Sequence, residues 1–258
     1  MAITSVDYSL LRRLHGMGAI PAGASVLELG EAEWYGDVAL PVLSESIDDL
    51  VDDDEERERL HQRMADVVAA NSPTRAWDLA KVFYAALFRS SRLVAIDFHG
   101  SDTALRIDLN YPVELKERFD VVLNGGTAEH VFDVCQFFRT VHEITRACGL
   151  MIHHAPFQGW LEHGFYNFNT GFFWDLAAAN AYTVLVFAYA ELNPPRIVEL
   201  SSREEIISME LKKKLGRNSI LYVAFQKGAE DTAFSIPRQA VYSDSLSDYM
   251  VKAWHTLR

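Results

Sequence analysis

Histidine, tyrosine and asparagine side chains are concentrated between His153 and Asn169, and they could support proton transfer and hydrogen bonding. An imidazole titrates near neutral pH, so a histidine here could take a proton from a hydroxyl or amine of a bound substrate. His163, which adjoins the flexible Gly164, and His154 are the candidates for this base. The residues predicted to orient the substrate are Tyr166, Asn167 and Asn169.

Plainer interpretations of this segment stay open. Side chains alternate between the two faces of a strand, so only one of His153 and His154 would face a cleft. The aromatic residues could simply pack the loop, and several histidines could in principle bind zinc. No fixed ligand spacing marks a zinc site, however, and the acidic run 48–56 lacks the glycine and distal glutamate of a calcium-binding loop. We therefore predict no metal site from the sequence.

Composition narrows the classes of partner. The 258-residue chain has 24 basic and 36 acidic residues, which gives a net charge of -12. A field of this sign repels phosphate backbones and anionic bilayers, so neither nucleic acid nor a membrane is the expected partner. Cys135 and Cys148 are the only cysteines, and no signal peptide or membrane span is recognised. We therefore expect a cytoplasmic protein that acts on a small molecule.

The segment 119–157 has the pattern of a strand, a turn, an amphipathic helix and a second strand. A short apolar run at 121–123 fits a buried parallel strand, and the Asn-Gly-Gly sequence at 124–126 breaks it. Apolar residues then recur at helical spacing, and Gly149 is predicted to end the helix before the second strand begins. Such a unit is half of a nucleotide-binding type of α/β domain.

This segment, with its Glu129-His130 pair, resembles the fourth strand, helix and fifth strand of the class I S-adenosylmethionine-dependent methyltransferases. Residues 25–30 look like the family's first strand and glycine turn, and residues 182–190 and 219–227 look like its final antiparallel pair of strands. The resemblance covers roughly three quarters of the chain. It implies an α/β, Rossmann-like class I methyltransferase fold, with a seven-stranded, mostly parallel sheet between helices.

A long connection follows the first predicted strand. More than sixty residues separate Gly30 from the next convincing strand at 92–97, although an ordinary crossover needs only about a dozen. We therefore expect one domain over residues 1–258, with a helical insertion at 37–89. Two helices are predicted within the insertion, one packed on the sheet and one covering the ligand cleft as a lid. A further short strand is predicted at 104–109.

The resemblance also implies a cofactor, S-adenosylmethionine, at the carboxyl ends of the strands that flank the switch point of the sheet. Its binding residues are carried over position by position. The matching positions are Glu28 and Gly30 for the first-strand motif, Asp97 for the acid that binds the ribose, Asp108 for the acid near the adenine, and Asn124 and Gly125 for the methionine side.

One departure from the family concerns its first loop. The positions usually held by a second and a third glycine carry Ala32 and Trp34. The Cβ of Ala32 narrows the approach of the backbone to the cofactor, whereas Trp34 would either cover the methionine tail or fill the pocket. Both stay candidate cofactor contacts. The Glu129-His130 pair is expected to start the helix and to shape the floor of the cleft.

The function that the resemblance implies is methyl transfer from S-adenosylmethionine to a small-molecule or sugar-like acceptor, at oxygen. The candidate bases His163 and His154 follow the fifth strand, on the side of the cleft where the family's acceptor lies. Two alternatives stay open, because fold alone does not fix function. One is a non-catalytic binding module whose pocket is filled by Trp34. The other is an enzyme that uses the same fold for a different reaction, such as cyclisation.

Overall fold

The computed structural model describes residues 2–90, 92–243 and 246–257. In these ranges the strands are β1 (Ala2–Ile3), β2 (Ser25–Leu29), β3 (Glu33–Trp34), β4 (Arg92–Ile96), β5 (Phe119–Gly125), β6 (Thr145–Gln158), β7 (Thr183–Leu192), β8 (Pro195–Glu199) and β9 (Ser219–Gln226). The helices are α1 (Ser5–Gly16), α2 (Leu40–Leu50), α3 (Asp54–Ala70), α4 (Arg75–Phe88), α5 (Val134–Ile144), α6 (Thr170–Asn180), α7 (Arg203–Leu211) and α8 (Asp248–Thr256). Short 3-10 turns occupy Ala128–His130 and Ala240–Tyr242.

The centre of the molecule is a seven-stranded sheet in the order β4-β2-β5-β6-β9-β7-β8. Neighbouring strands from β4 to β6 are parallel, whereas β9 runs antiparallel between β6 and β7, and β8 is antiparallel at the edge. Strands β2, β4, β5, β6 and β7 therefore share one direction, which confirms the predicted seven-stranded, mostly parallel sheet. Chain order reverses between β2 and β5, so their carboxyl ends flank the switch point.

Helices cover both faces of the sheet because its central strands are apolar on both sides. All residues of β2 are buried. Val26 belongs to the apolar cluster that α1 and α4 share, whereas Leu27 belongs to the cluster on the opposite face, with residues of α5 and α6. Among the helices of the described residues, none is both long enough and apolar enough to cross a membrane.

Three helices occupy the inserted segment, which was predicted to hold two. α2 ends at Leu50, Val51 is extended, and Asp53 begins a new helix by accepting a hydrogen bond from the Glu56 N–H at 2.8 Å. An N-cap aspartate satisfies a backbone N–H at the start of a helix, so the acidic run ends α2 and begins α3 where a single helix was predicted. α4 packs toward the sheet, and α3 packs on α2 and α4 and buries only Leu60.

The prediction of a strand at 104–109 is wrong. In this described segment one parallel bridge forms, between Ile96 and Leu105. The Arg106 guanidinium donates hydrogen bonds to the carbonyls of Asp97, Gly100 and Ser101. These bonds close the segment into a loop, and the seventh strand of the sheet is instead β8, which forms a hairpin with β7.

The prediction that Gly149 ends the helix is also wrong. α5 ends at Ile144, the Thr145 hydroxyl donates to the Val141 carbonyl at 2.6 Å, and the chain passes directly into β6. Gly149 lies within β6, where an added Cβ would be 2.8 Å from the Arg146 carbonyl oxygen. Close approach of the backbone, rather than a helix end, therefore requires glycine at this position.

Candidate functional site

The carboxyl ends of β2, β4 and β5 border a cavity of about 320 Å³, called the switch-point cavity below. This volume lies in the range of small-molecule sites, roughly 300–1,000 Å³. Three of the residues predicted to bind the cofactor, Gly30, Asp97 and Asp108, lie together in its lining. Its apolar wall consists of Ile96, Phe98, Ile107, Leu109 and Val131. The structure therefore places two carboxylates beside apolar surface at the switch point.

Asp97 holds the loop after β2 in place. Its Oδ2 accepts a hydrogen bond from the Glu31 N–H at 2.8 Å, and its Oδ1 accepts one from the His99 N–H at 2.7 Å. Gly30 has a φ of +88°, which favours glycine, and its N–H donates to the Ile96 carbonyl at 2.7 Å. Each carboxylate oxygen has two lone pairs, so Asp97 can still accept hydrogen bonds from a diol in the cavity.

The other residues of the first motif lie beneath this loop. Glu28 is buried, and burial raises its pKa to about 8. Its Oε1 accepts a hydrogen bond from the Ala32 N–H at 3.1 Å, so the pair shapes the loop from below. Trp34 is buried between Tyr8 of α1 and Phe83 of α4. Because the indole is held in the core, Trp34 neither lines nor fills the cavity.

Glu31, which no sequence motif marks, ties the loop to the insertion. Its Oε1 lies 2.7 Å from the Lys81 Nζ on α4, and Ser101 donates both its N–H and its hydroxyl to the same carboxylate. Burial alone would raise the pKa of Glu31, but Lys81 and Ser101 hold it below its usual value. Gly100 leaves room for the group, since an added Cβ would lie 2.6 Å from Glu31 Oε2.

Asn124 and Gly125 lie at a second and much smaller cavity of about 20 Å³. The Asn124 Oδ1 accepts hydrogen bonds from the Thr127 and Ala128 N–H groups and thereby starts the 3-10 turn. The N-terminal segment covers this cavity, because Ile3 belongs to its lining. The predicted methionine-side residues are thus brought together, but at a different cavity from Asp97 and Asp108.

His153 and His154 point to opposite faces of β6, as strand geometry requires. His153 packs against Phe138 and Phe173, and burial lowers its pKa to about 3. His154 lines the small cavity, and its Nδ1 lies 2.6 Å from the Asp7 Oδ1. Burial alone would lower the pKa of His154, but the Asp7 charge and hydrogen bond raise it overall.

His163 lies beside Glu129 and His130, and His130 lines the switch-point cavity. The His163 Nε2 is 3.7 Å from the Glu129 Oε1, and the ring centroids of His163 and His130 are 5.0 Å apart. Burial raises the pKa of Glu129 to about 7. Gly164 lets the loop that carries His163 approach Glu129 closely, because an added Cβ would lie 2.8 Å from the Glu129 carbonyl oxygen. The same carbonyl oxygen accepts a hydrogen bond from the Phe165 N–H. Local sequence patterns did not indicate this cluster.

Tyr166, Asn167 and Asn169 line a third cavity, of about 490 Å³, next to α6. The Tyr166 hydroxyl donates to the Phe132 carbonyl at 2.7 Å, and the Asn167 amide donates to the Gly159 carbonyl at 2.9 Å. Neither His154 nor His163 belongs to this lining. The structure therefore brings the three predicted substrate residues together but separates them from the two predicted bases.

The sequence matches no protein-family model and no curated protein sequence. Similar solved structures include an S-adenosylmethionine-dependent methyltransferase from Mesorhizobium loti, with 15% identity and a TM-score of 0.46 over 86% of this chain and 98% of that chain. The N-methyltransferase NodS from Bradyrhizobium japonicum, in complex with S-adenosyl-L-homocysteine, has 11% identity and a TM-score of 0.41 over 87% and 88% of the two chains. StiE O-MT has 13% identity and a TM-score of 0.41 over 98% of this chain and 81% of that chain.

The strand order and the position of the switch-point cavity define the type of fold. Four parallel strands, β4, β2, β5 and β6, are followed by β9, which lies antiparallel between β6 and β7. The cavity is at the carboxyl ends of the strands that flank the switch point, where ligands of doubly wound sheets bind. The described residues therefore form a doubly wound, Rossmann-like α/β fold, and its strand order agrees with the expectation drawn from the class I S-adenosylmethionine-dependent methyltransferases.

Proposed function

We propose that this protein is an enzyme that transfers a methyl group from S-adenosylmethionine to a hydroxyl of a small-molecule or sugar-like acceptor. The observation that carries the proposal is the cavity at the switch point, in which Gly30, Asp97 and Asp108 meet. When bound, S-adenosylmethionine supplies an electrophilic methyl group on a sulfonium.

The residues of this cavity fit an adenosine group. Asp97 offers lone pairs to ribose hydroxyls, and two backbone N–H donors fix its orientation. Asp108 is fixed at the cavity wall because its Oδ1 accepts the Asn110 N–H at 2.9 Å and the Asn110 amide at 2.8 Å. Ile107 and Val131 supply apolar surface for a purine. A few placed polar groups on apolar walls are the usual composition of a small-molecule site.

His163 is proposed to take the proton of the acceptor. Its side chain is exposed next to His130, which lines the cavity. Glu129 lies close enough to orient the ring, since its Oε1 is 3.7 Å from the His163 Nε2. A hydroxyl is a weak nucleophile until it loses its proton, so a base at this rim favours oxygen as the methylated atom.

The acceptor is proposed to be small and free of multiple phosphates. The net charge of -12 lowers the local concentration of polyanions around the whole molecule. A cytoplasmic location is proposed as well, because Cys135 and Cys148 are both unpaired, as is usual in reducing compartments.

Calorimetry of the purified protein with S-adenosylmethionine tests the cofactor site. We expect wild type to bind, and Asp97→Ala to bind more weakly by about 1.5–3 kcal/mol, the cost of losing hydrogen bonds to a charged group. Asp102→Ala is the control, because Asp102 is an exposed acid on the same loop and is not part of the cavity lining. No binding by wild type, or equal affinities for the two variants, would contradict this site.

Formation of S-adenosylhomocysteine tests the transfer itself. Wild type is incubated with S-adenosylmethionine and a panel of hydroxylated and amino-bearing small molecules, and the product is measured by mass spectrometry. A hydroxylated acceptor whose mass rises by one methyl group supports the proposal. Methylation of amines alone would overturn the choice of oxygen. Cofactor binding without any transfer would favour a binding module.

A further inference from the structure

Glu129, His130 and His163 form a cluster that the cofactor cavity does not explain. One possible ligand atom from each residue, a carboxylate oxygen or an imidazole nitrogen, can be chosen so that all three lie within 4.8 Å of one another. The Glu129 side chain is 2% exposed, whereas both histidines are exposed. Its Oε2 is buried and has no hydrogen-bond partner among the residues that the structure describes. A buried carboxylate oxygen without a partner is costly unless something binds it.

We propose that Glu129, His130 and His163 bind one divalent transition-metal ion of the zinc class at the rim of the switch-point cavity. The unpartnered Glu129 Oε2 and the adjacent Oε1 supply the charged ligand. The two imidazoles supply nitrogen ligands. Two histidines and one carboxylate are a donor set that zinc and iron(II) accept, whereas calcium and magnesium prefer oxygen donors.

Backbone contacts hold the three ligands near one another. His130 ends the 3-10 turn that Asn124 starts, so Glu129 and His130 are presented from one rigid turn. The Phe165 N–H donates to the Glu129 carbonyl at 2.7 Å, which fixes the loop that carries His163 over this turn. Only small shifts of two exposed imidazole side chains are then needed to reach ligand distances.

The site would keep open coordination positions. Within the described residues, the cluster contains three ligand-bearing side chains. A tetrahedral ion therefore has at least one position left for water or for an oxygen of a ligand. His130 also lines the switch-point cavity, so this open coordination position lies next to the proposed cofactor site.

The catalytic meaning of this metal site rests on the proposed function, whereas its existence does not. An acceptor hydroxyl bound to the ion would lose its proton to water more readily, because a bound cation lowers the pKa of an oxygen ligand. His163 would then act as a ligand and not as the base. Metal binding thus decides which role His163 has.

Titration calorimetry of the chelator-treated 258-residue chain with Zn²⁺, and separately with Co²⁺, tests the proposal. We expect one ion per chain and a visible Co²⁺ spectrum of low coordination number. Even a residue that only supports a metal ligand typically contributes about 10–100-fold to metal affinity. Because His130 and His163 are proposed as direct ligands, His130→Ala and His163→Ala should each weaken metal binding by at least that much. The control is His255→Ala, which removes an exposed histidine on α8 and should bind the metal ion like wild type.

Glu129→Gln is a third variant, but the side chain is buried and the substitution could disturb folding, so circular dichroism accompanies it. The two exposed histidine variants keep the test valid if it does. Absence of stoichiometric binding by wild type would overturn the site, as would binding that His130→Ala and His163→Ala leave unchanged. S-adenosylmethionine binding is measured on the same samples. Cofactor binding without metal binding refutes the metal site alone, and metal binding without cofactor binding refutes the proposed function alone.

Discussion

At the scale of single residues, Glu28 shows how the fold removes a carboxyl group from water in order to shape a loop. It lies in the middle of β2, is fully enclosed, and receives one hydrogen bond from the Ala32 N–H. One neutral donor does not replace the hydration of a carboxylate, so the protonated form is favoured in the folded protein. Glu28 therefore shapes the loop after β2 by binding the Ala32 backbone N–H. It does not contact the switch-point cavity.

Glu28→Gln is expected to change the pH dependence of stability. The pKa rises from 4.5 to about 8 on folding, so between these values the folded protein keeps a proton that the unfolded chain releases. The free energy of unfolding of wild type must then fall as pH rises through this window. The glutamine keeps an acceptor for Ala32 without titrating. Its stability relative to wild type should increase by on the order of a few kcal/mol between about pH 5 and about pH 8.

Urea unfolding at the two pH values measures this change. Glu33→Gln serves as the control, because Glu33 is an exposed glutamate of the nearby β3 and surface substitutions usually change stability little. Parallel pH profiles for wild type and Glu28→Gln would show that Glu28 is already ionised in the folded protein.

His163→Ala is expected to lower turnover by about 100-fold or more, whichever way His163 activates the acceptor. S-adenosylmethionine affinity should stay nearly unchanged, because His163 is exposed and outside the lining of the switch-point cavity. His163→Gln keeps a hydrogen-bonding group and should preserve the acceptor KM while turnover falls. The assay is S-adenosylhomocysteine formation with an identified acceptor. Normal turnover of the alanine variant would assign His163 to loop packing, and lost cofactor affinity would make it structural and His154 the next candidate.

At the scale of elements, the link between the cofactor loop and the insertion is the Glu31–Lys81 ion pair. Glu31 follows β2 directly, and Lys81 lies on α4, which packs against α2 and α3. Ligand binding that orders the loop would therefore be transmitted to the inserted helices through a buried, hydrogen-bonded carboxylate. Among the described residues, the lining of the switch-point cavity contains no residue of the insertion at 37–89.

The insertion at 37–89, predicted as a lid, does not line the cavity, and we propose that it responds to the cofactor through the contact of α4 with Glu31. Hydrogen exchange in 44–70 should slow on adding S-adenosylmethionine, because ordering of the loop restrains α4 and the helices packed on it. Lys81→Met should remove this effect while protection near Gly30 persists, since it breaks the Glu31 contact. Protection confined to 26–36 and Asp97 in wild type would instead make the insertion a structural support.

At the scale of the whole molecule, charge limits the partners that the protein can recruit. The net charge of -12 is expected to prevent binding of duplex nucleic acid even at about 0.05 M salt, where phosphate contacts are strongest. Fluorescence anisotropy of a labelled duplex should stay at its free value across the titration. Binding that weakens steeply with added salt would reveal a basic surface that the net charge conceals.

The sequence predicted β2, β4, β5, β6, β7 and β9 in their order, but it did not predict the strands β1, β3 and β8 or the third helix of the insertion. Buried parallel strands need continuous apolar runs, helices need apolar residues at helical spacing, and both signals are local. β5, α5 and β6 could therefore be predicted from one segment, and β7 and β9 from two others. The errors lie where nonlocal contacts compete with local signals: Arg106 closes a loop at the predicted strand 104–109, and Gly149 serves a close backbone approach within β6.

The sequence also determined that Gly30 and Asp97 would meet, because carboxyl ends of neighbouring parallel strands lie at one edge of a sheet. The prediction for Asp108 rests on the family resemblance alone, and this residue lies on a loop rather than at the end of a strand. Only the tertiary structure decided that Trp34 is taken into the core and that Glu129 meets His163. Each of these contacts depends on how a loop or helix packs against a distant part of the chain. Residue types and spacing specify the elements and their ends, whereas packing between elements fixes which side chains share a cavity.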